Sequence, residues 1–351
     1  MLIKLAERRM LPDSVIRAGI RRVLERRLAR ERAAIPADHV GRVQVLRERF
    51  ASGPIADSID AALAQQYEIP ATLFLTMLGP WLKYSAGLWE NDESTLLESE
   101  EAMLALTCER AEIADGQRIL DLGCGWGSLT FWIAERYPNA DVVAISNSRT
   151  QHKFITEQAL ARGLMNVRHV RMNIADFDRE PPVEQAEPDA EWQFDRIVSV
   201  EMFEHMRNVE SLLGRLASWL RPNGKLFLQA FCHRELFYRF ELDGNYDWMA
   251  RHFFTGGAMP CADLFEHLRG SLHLERKWEI AGQHYARTWR AWLANLDANR
   301  DEIIREFEQR LSPVEARRQF QRWRMFTMAC EEIFSYGDGS EWFVIHALLA
   351  K

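Results

Sequence analysis

The glycine-rich segment Asp121-Leu-Gly-Cys-Gly-Trp-Gly127 constrains the fold more than any other part of this sequence. It closes a short apolar run, Arg118–Leu122, and leads into a segment with helical apolar spacing, Ser128–Tyr137. Glycine permits a tight turn and a close approach of the backbone to a ligand, and the N-terminus of the next helix offers unpaired N–H groups. The pattern predicts a strand, a ligand-binding turn and a helix, in that order.

Strand and helix patterns keep alternating after this turn. Further strands are predicted over Asp141–Ser146, Val167–Met172, Arg196–Val200 and Lys225–Phe231, and helices over Thr150–Arg162 and Val209–Leu220. Such alternation is typical of a mostly parallel sheet with helices on both faces, which is a Rossmann-like α/β fold. The acidic, proline-containing stretch Arg179–Glu191 is predicted to be a surface loop.

Amphipathic helices are predicted on either side of this core. They cover Ser14 to about Ala34, Ile55 to Leu82 and Glu98–Ala111 before it, and Trp289–Arg310 and Val314–Phe334 after it. The last two lie between predicted strands Ser271–Ile280 and Trp342–Leu349, so they are expected to cover the carboxyl ends of the sheet strands as a lid or substrate wall. We expect three regions: an N-terminal helical extension (1–100), a cofactor-binding core (101–235), and lid helices that bind the substrate, together with the final strands (236–351).

Composition narrows the possible partners. The net charge of −7 argues against nucleic-acid binding. Residues 1–50 hold 13 Lys/Arg against 6 Asp/Glu, so the basic N-terminal helix either makes a peripheral contact with an anionic membrane or simply has a solvated face. No apolar run predicts stable membrane insertion, and charges interrupt the N-terminus where a signal peptide would be apolar, so a cytoplasmic location is expected. The five cysteines form no CxxC pair, and no metal site is predicted.

The glycine spacing separates two kinds of nucleotide site. It reads GxGxG with Asp121 two residues before the first glycine, which departs from the dinucleotide pattern GxGxxG. The second strand ends in Ile145-Ser-Asn-Ser148 without the acid that a dehydrogenase would use on ribose, so a dehydrogenase is disfavoured. Asp121 could hold the ammonium of a methionine moiety, Asn147 and Gln151 the ribose, and Asn173 with Ile174 the adenine. Ordinary turn and loop capping is the structural alternative.

A second polar group, Glu201, Glu204 and His205, follows the fourth predicted strand. If this turn is helical, the three side chains share one face. A carboxylate or imidazole there could take the proton of an amine or hold its cationic form, and a solvated helix start is the alternative. Nearby side chains are expected to line the acceptor pocket; they are Phe203, Phe231, His233 and Tyr285. A nucleophilic Cys232–His233 pair is disfavoured, because neighbours on a strand point to opposite faces.

With these residues the chain, from about residue 60 to its end, resembles the cyclopropane-fatty-acid-synthase superfamily of S-adenosylmethionine-dependent methyltransferases. Within it, the chain looks most similar to the coclaurine N-methyltransferase group, which acts on benzylisoquinoline alkaloids. The resemblance is carried by Tyr84-Ser85, Asp121–Ser128, Ile145–Ser148, Arg196–Met206, Asp247-Trp-Met249, Phe253–Gly257, Met259-Pro260 and His284–Thr288.

The resemblance implies a class I methyltransferase fold, S-adenosyl-L-methionine as cofactor and a small cyclic aromatic amine as acceptor. A homodimer is one expectation for its assembly. The cofactor would be held by Tyr84, Ser85, Asp121, Gly123, Gly125, Asn147, Gln151, Asn173 and Ile174. Glu201, Glu204 and His205 would handle the amine.

The chain departs from the family pattern at three positions: Asn173, which should still bind adenine, and two positions that bear on the substrate. Asn173 replaces a usual acid, Ala86 replaces the cysteine usual after Tyr-Ser, and Gln229 replaces a histidine of the fifth strand. In the lipid-cyclopropanating enzymes the last two positions resemble part of a bicarbonate-holding site, so their loss weakens that function here. Modification of unsaturated phospholipid chains remains the alternative, and a cofactor-binding regulator without catalysis is a third hypothesis.

Overall fold

The structure is a computed structural model that describes residues 2–56, 69–173, 192–242 and 247–351. Helices come first in the chain: α1 (Leu2–Glu7), α2 (Asp13–Ala34), α3 (His39–Phe50), α4 (Ala71–Met77) and α5 (Leu96–Arg110). Helix α5 begins with a capping box, in which Thr95 Oγ1 accepts from the Glu98 N–H and Glu98 Oε2 accepts from the Thr95 N–H. These two bonds satisfy backbone donors that a helix start otherwise leaves unpaired.

Strands and helices then alternate, as the sequence predicts. The elements are β1 (Arg118–Leu122), α6 (Ser128–Arg136), β2 (Asp141–Ser146), α7 (Arg149–Ala161), β3 (Val167–Arg171), β4 (Phe194–Val200), α8 (Val209–Trp219) and β5 (Leu220–His233). All neighbouring pairs among these five strands are parallel. Their runs of Val, Ile and Leu are buried on both faces because helices cover both sides.

The remaining elements complete the sheet and cover one edge. They are β6 (Tyr238–Arg239), α9 (Trp248–His252), β7 (Ala258–Met259), α10 (Leu264–His267), β8 (His273–Ile280), α11 (Gly282–Ala298), α12 (Arg300–Glu308), α13 (Pro313–Ser335) and β9 (Trp342–Ala350). Strand β9 runs antiparallel to both β5 and β8. Within the described ranges, seven strands form one sheet in the order β3-β2-β1-β4-β5-β9-β8.

The strand order determines where a ligand site can form. The chain leaves β1 toward β2 on one side and later returns to place β4 on the other side. The carboxyl ends of β1 and β4 therefore lie side by side at a topological switch point, where open α/β sheets bind ligands. Asp121 lies near the end of β1 and Glu201 directly follows β4, so this order brings two distant carboxylates to one edge.

The basic helix α2 is held against α13 by ion pairs. Arg17 lies 2.6 Å from Glu331 and 2.9 Å from Glu332, and Arg21 lies 2.8 Å from Glu332. The interpretation of this arginine face as merely solvated is therefore incomplete, because Arg17 and Arg21 are engaged in the fold.

One predicted helix is much shorter in the structure. In the described part of Ile55–Leu82 only α4 (Ala71–Met77) is helical, and residues 57–68 lie outside the described residues. Leu78 is extended (φ −76°, ψ 168°) and is followed by Gly79 and Pro80. Proline disfavours helical backbone in the residue before it, so the chain leaves the helix here. The predicted loop Arg179–Glu191 also lies outside the described residues.

A second predicted helix, Trp289–Arg310, is divided and begins earlier. Helices α11 and α12 meet at Asn299, whose side chain donates to the Thr76 and Asn295 carbonyls. Helix α11 begins at Gly282, where a Cβ would lie 2.1 Å from the Trp342 carbonyl oxygen. Only glycine permits this close contact with β9. Tyr285, predicted to precede the helix, therefore lies in its second turn.

The model contains, over its described ranges, no helix that is both long and apolar enough to cross a membrane. All five cysteines are buried as free thiols.

Candidate active site

A cavity lies at the carboxyl ends of β1 and β4. Six of the predicted cofactor residues line it together with Glu201; they are Tyr84, Ser85, Asp121, Gly123, Gly125 and Gln151. Asn147 and Asn173 follow β2 and β3 and are half-buried outside this lining. Ile174 lies outside the described residues. The structure thus brings most of the predicted set together from three separate segments of the chain.

Asp121 is the acidic group of this cavity. Asp121 is only 2 % exposed, and its carboxyl accepts a hydrogen bond from Thr130 Oγ1 at 2.6 Å. Burial raises the pKa of Asp121 to about 6, against the lowering effect of the Thr130 bonds. A buried carboxylate with this little compensation favours a cationic partner, because pairing offsets the cost of burying its charge. An ammonium group fits this requirement.

The glycines of the turn serve different needs. Gly123, Gly125 and Gly127 all have positive φ, at 82°, 55° and 82°. A Cβ on Gly125 would meet no described atom within 4 Å, so this residue faces open space in the cavity. A Cβ on Gly123 would lie 2.8 Å from Met202 Cγ, so that position requires glycine for packing. The cradle and the adjacent carboxylate together fit a nucleoside carrying an amino-acid tail.

A second, largely aromatic pocket adjoins the first. Tyr84 and Glu201 line both, so they mark the place where the two cavities meet. The other lining residues are His205, Phe231, Phe240, Met249, Phe254, Met259, Tyr285, Trp289, Phe326, Cys330, Ile333 and Phe334. Helices α11 and α13 supply half of them, which gives these helices the position expected for a substrate wall.

Glu201 lies at the junction in a strained conformation, with φ at +51°. Its Oε1 accepts from the Ala86 N–H at 3.0 Å and from Gln229 Nε2 at 2.9 Å, and its Oε2 accepts from the Tyr285 hydroxyl at 2.5 Å. Burial raises the pKa of Glu201, whereas the Lys83 charge and these three donors lower it. The site therefore holds a well-oriented carboxylate with its charge partly compensated.

Gln229 links this carboxylate to the sheet behind it. His346 Nε2 lies 3.1 Å from Gln229 Oε1, and Arg110 approaches the other ring nitrogen at 3.1 Å. Since Gln229 donates to Glu201 through its amide nitrogen, its oxygen must accept, which assigns the His346 proton to Nε2. Burial lowers the pKa of His346 well below its usual value, so the ring is neutral.

Glu204 and His205 have opposite titration behaviour. Glu204 Oε1 accepts from the Phe231 N–H at 2.7 Å, and its Oε2 is buried without a hydrogen-bond partner in the described structure. Burial and the nearby Glu201 charge raise the pKa of Glu204 well above its usual value, which favours the uncharged form of this carboxyl. Burial lowers the pKa of His205 to about 4, so its imidazole, packed 4.8 Å from the Phe254 ring, is neutral.

The predicted shared helical face of these three residues is wrong. The turn is a single 3-10 segment, Phe203–His205, and Glu201 precedes it with left-handed backbone. The positive φ directs Glu201 toward Gln229 and Tyr285 instead of along the helical face. Glu201 and His205 still line the same pocket, but the arrangement depends on this turn and on the adjacent strand.

The predicted acceptor residues divide into two pairs. Phe231 and Tyr285 line the aromatic pocket. Phe203 packs edge-on against Phe265 in the core beneath the sheet, at 5.8 Å between ring centres. His233 is 1 % exposed, and its Nδ1 accepts from the Glu235 and Leu236 N–H groups. These bonds use His233 to close the turn after β5, so neither it nor Phe203 is brought into the pocket.

Several residues that shape the site were not predicted as site residues, and Lys83 and Trp289 are two of them. Lys83 is buried in the cofactor cavity wall, and Trp289 lines the aromatic pocket. The position of Lys83 next to Tyr84-Ser85 is the one signal that could have suggested it. Trp289 is one of many aromatic residues whose core or pocket position only the packing distinguishes.

The sheet order, the GxGxG turn at the switch point and the two adjoining cavities define a class I S-adenosylmethionine-dependent methyltransferase. Residues 57–341 match the family model described as mycolic acid cyclopropane synthetase. The chain belongs to this family, which confirms the resemblance and the fold predicted from the sequence.

Comparison with individual proteins gives a more detailed likeness. The chain is 35 % identical to (S)-coclaurine N-methyltransferase of Thalictrum flavum subsp. glaucum, over 100 % of this chain and 95 % of that protein. A crystal structure of coclaurine N-methyltransferase bound to N-methylheliamine and SAH superposes with a TM-score of 0.91 at 34 % identity, covering 100 % and 99 % of the two chains. Cyclopropane-fatty-acyl-phospholipid synthase of Escherichia coli (strain K12) is 29 % identical over 80 % of this chain and 66 % of that protein.

Proposed function

We propose that this protein transfers a methyl group from S-adenosyl-L-methionine to the nitrogen of a small cyclic aromatic, isoquinoline-like amine. The observation that carries the proposal is the Glu201 carboxylate at the junction between the cofactor cavity and an aromatic pocket. The described lining of that pocket contains no lysine or arginine, so a cationic or neutral acceptor is favoured over a phosphorylated one. The similarity to N-methyltransferases along the full chain supports the same substrate class.

The cofactor would supply an electrophilic methyl group on its sulfonium. In this proposal Asp121 pairs with the ammonium of the methionine moiety, and the open side of Gly125 lets the backbone approach the nucleoside. Tyr84, Ser85 and Gln151 form other parts of the same wall. Asn147, Asn173 and Ile174 remain predictions for ribose and adenine contacts.

Glu201 would attract and orient the amine. Its two oxygens are oriented by the Ala86 N–H, Gln229 and Tyr285, so an approaching ammonium meets a carboxylate that does not need to reorganise. The rings of Tyr285, Trp289 and Phe334 add flat apolar surface, and their faces favour a cation.

His205 would accept the proton that the amine loses, and Glu204 would affect the charge near the pocket. An amine reacts through its lone pair, so its proton must leave before or during transfer. The neutral imidazole of His205 can accept that proton in the same pocket as the Glu201 carboxylate, which would stabilise the charge that forms. The raised pKa of Glu204 favours its uncharged form behind Phe231, which opposes a second negative charge beside Glu201. Alignment of donor and acceptor supplies the rest of the acceleration.

The three predicted regions of the chain correspond only approximately to the two cavities of the proposed site. Residues 101–235 supply most of the cofactor cavity and residues 236–351 much of the acceptor pocket. However, residues 82–85 of the N-terminal region also line the cofactor cavity, so cofactor binding is not confined to the central region. A homodimer, a peripheral membrane contact and a cytoplasmic location remain predictions.

The deciding experiment uses S-adenosylmethionine labelled on its methyl group. One arm offers cyclic aromatic secondary and tertiary amines, including tetrahydroisoquinoline and N-methyltetrahydroisoquinoline; the other offers vesicles of unsaturated phosphatidylglycerol and phosphatidylethanolamine. The expected result is label in the amine products, abolished by Asp121→Ala. Label in the lipid fraction would replace the proposal with the acyl-chain alternative. Cofactor binding without label in either arm would favour a regulator.

A further inference from the structure

Lys83 is a buried cation in the wall of the cofactor cavity. Lys83 is 3 % exposed, and its Nζ donates to Ser85 Oγ at 2.5 Å and to the Ala86 carbonyl at 2.6 Å. A lysine is rarely buried to this degree unless its charge is paired, so a role for the charge is expected.

Two buried carboxyls attract this cation. Glu201 contributes the larger attraction to Lys83 and Glu100 the smaller one. Glu100 also accepts from the Trp81 and Lys83 backbone N–H groups, at 3.0 and 3.3 Å. Burial lowers the pKa of Lys83 to about 8 and raises the pKa of Glu100 to about 7. Lys83 is therefore the cation positioned to compensate Glu201.

The loop that carries Lys83 is tied down on both sides. After Lys83 in the chain, the Ala86 N–H donates a hydrogen bond to Glu201 Oε1, and the Gly87 N–H donates one to Thr288 Oγ1 at 3.1 Å. Leu82, immediately before Lys83, has a φ of +52°, and Glu201 has a φ of +51°. Left-handed backbone at two non-glycine residues that meet at one site indicates a geometry held by its surroundings, which is common at functional sites. The two Lys83 hydrogen bonds are part of that restraint.

We propose that Lys83 is a positioning residue for methyl transfer: it fixes the 83–86 loop so that the Ala86 N–H meets Glu201, and its charge compensates the buried Glu201 carboxylate. This inference rests on the proposed function, in which Glu201 binds the amine. The groups that also act on Glu201 are Tyr285, Cys330, Glu204, Gln229 and, in the shared pocket, His205. Of these, none is a cation in the free protein, because His205 is neutral.

The direction of the charge effect follows from the burial of Glu201. Burial favours the protonated carboxyl, and Lys83 opposes it. Without the Lys83 charge, the pKa of Glu201 rises. A nearby charge commonly shifts the pKa of a carboxyl by about one to three units. Removal of the Lys83 charge should therefore raise the pKa of Glu201 by about one unit or more.

The first test measures that titration without turnover. The protein carries ¹³C-labelled glutamate, and infrared difference spectra against Glu201→Gln follow the carboxyl stretch of Glu201 with pH. Lys83→Met removes charge and hydrogen bonds, Lys83→Gln removes the charge but retains a donor for Ala86, and Lys83→Arg retains the charge. The matched control is Lys153→Met, whose side chain is 76 % exposed.

The expected midpoint for Glu201 rises by about one pH unit or more in Lys83→Met and Lys83→Gln, and stays near the wild-type value in Lys83→Arg and Lys153→Met. An unchanged midpoint in the two neutral variants overturns the charge role. If Lys83→Met does not fold, Lys83→Gln and Lys83→Arg still decide the question, because they differ in charge while both can donate to the loop.

The second test uses the amine reaction. The acid limb of the kcat/KM profile should move upward in Lys83→Gln by the same interval as the infrared midpoint. A uniform loss of turnover without a moved profile would contradict the positioning role. If the wild-type protein methylates no amine while the infrared shift is present, the proposed function is wrong. The conclusion that the Lys83 charge acts on the Glu201 carboxyl would then remain.

Discussion

Replacement of Asp121 by asparagine should have opposite effects on stability and on cofactor binding. The buried carboxyl has its pKa raised from 3.8 to about 6. Between these two values the folded protein holds a proton that the unfolded chain has released, so the free energy of unfolding falls as pH rises through this window. At pH 7 the ionised carboxylate therefore costs about 3 kcal/mol, at about 1.4 kcal/mol for each tenfold change in proton affinity.

Asparagine has nearly the same shape and no charge, and its oxygen can still accept from Thr130 Oγ1. The free Asp121→Asn protein should gain up to about 3 kcal/mol at pH 7, and this gain should shrink as pH falls toward 4. Its affinity for S-adenosylhomocysteine should fall by about 10- to 150-fold, because a hydrogen bond to a charged group is worth about 1.5–3 kcal/mol. In wild type, that affinity should decrease about tenfold per pH unit below pH 6, and in the variant it should be flat.

Equilibrium urea unfolding of the free protein and titration calorimetry with S-adenosylhomocysteine measure the two effects. Asp141→Asn is the matched control, since that carboxylate is 53 % exposed at the start of β2 and pairs with Arg118 at 3.1 Å. This change should alter stability by less than about 1 kcal/mol and leave binding unchanged. A variant at position 121 that is less stable than wild type, or that binds as tightly, would refute the reasoning about the buried charge.

Four further substitutions test the site. His205→Ala should lower turnover by about 100-fold or more with unchanged S-adenosylhomocysteine affinity, as for a lost general base, and unchanged turnover would reject that role. Glu204→Ala removes the acceptor of the Phe231 N–H and should lower turnover through the pocket wall, so wild-type turnover in this variant would reject a role for Glu204. Gly125→Ala should cost about 1–2 kcal/mol of stability in left-handed backbone and weaken cofactor binding, and calorimetry that shows wild-type affinity would contradict the cradle. Tyr285→Phe removes a donor to Glu201, so the pKa of Glu201 should rise and the acid limb of kcat/KM move up by about one unit, whereas a profile that does not move would disprove this contact.

Local features of the sequence predict local structure well in this protein. The predicted bounds of β1 and β2 agree with the structure, because strongly apolar strands flanked by glycine and polar turns leave few alternatives. The glycine turn was also predictable, because glycine readily adopts the positive φ angles that Gly123, Gly125 and Gly127 have in the structure. The break of the long predicted helix at Asn299 was not, because it depends on contacts with the distant Thr76.

The class of fold, the place of the cofactor turn and the identity of the acidic groups near it could be predicted, because these follow from short-range periodicity and glycine spacing. Which groups meet, and how they titrate, depends on tertiary packing. Tyr84, Phe231 and Phe334 share one pocket although the chain separates them widely. The pKa of Glu204 is raised and that of His205 lowered because burial penalises charge, and burial is a property of the packed molecule and not of neighbouring residues in the chain.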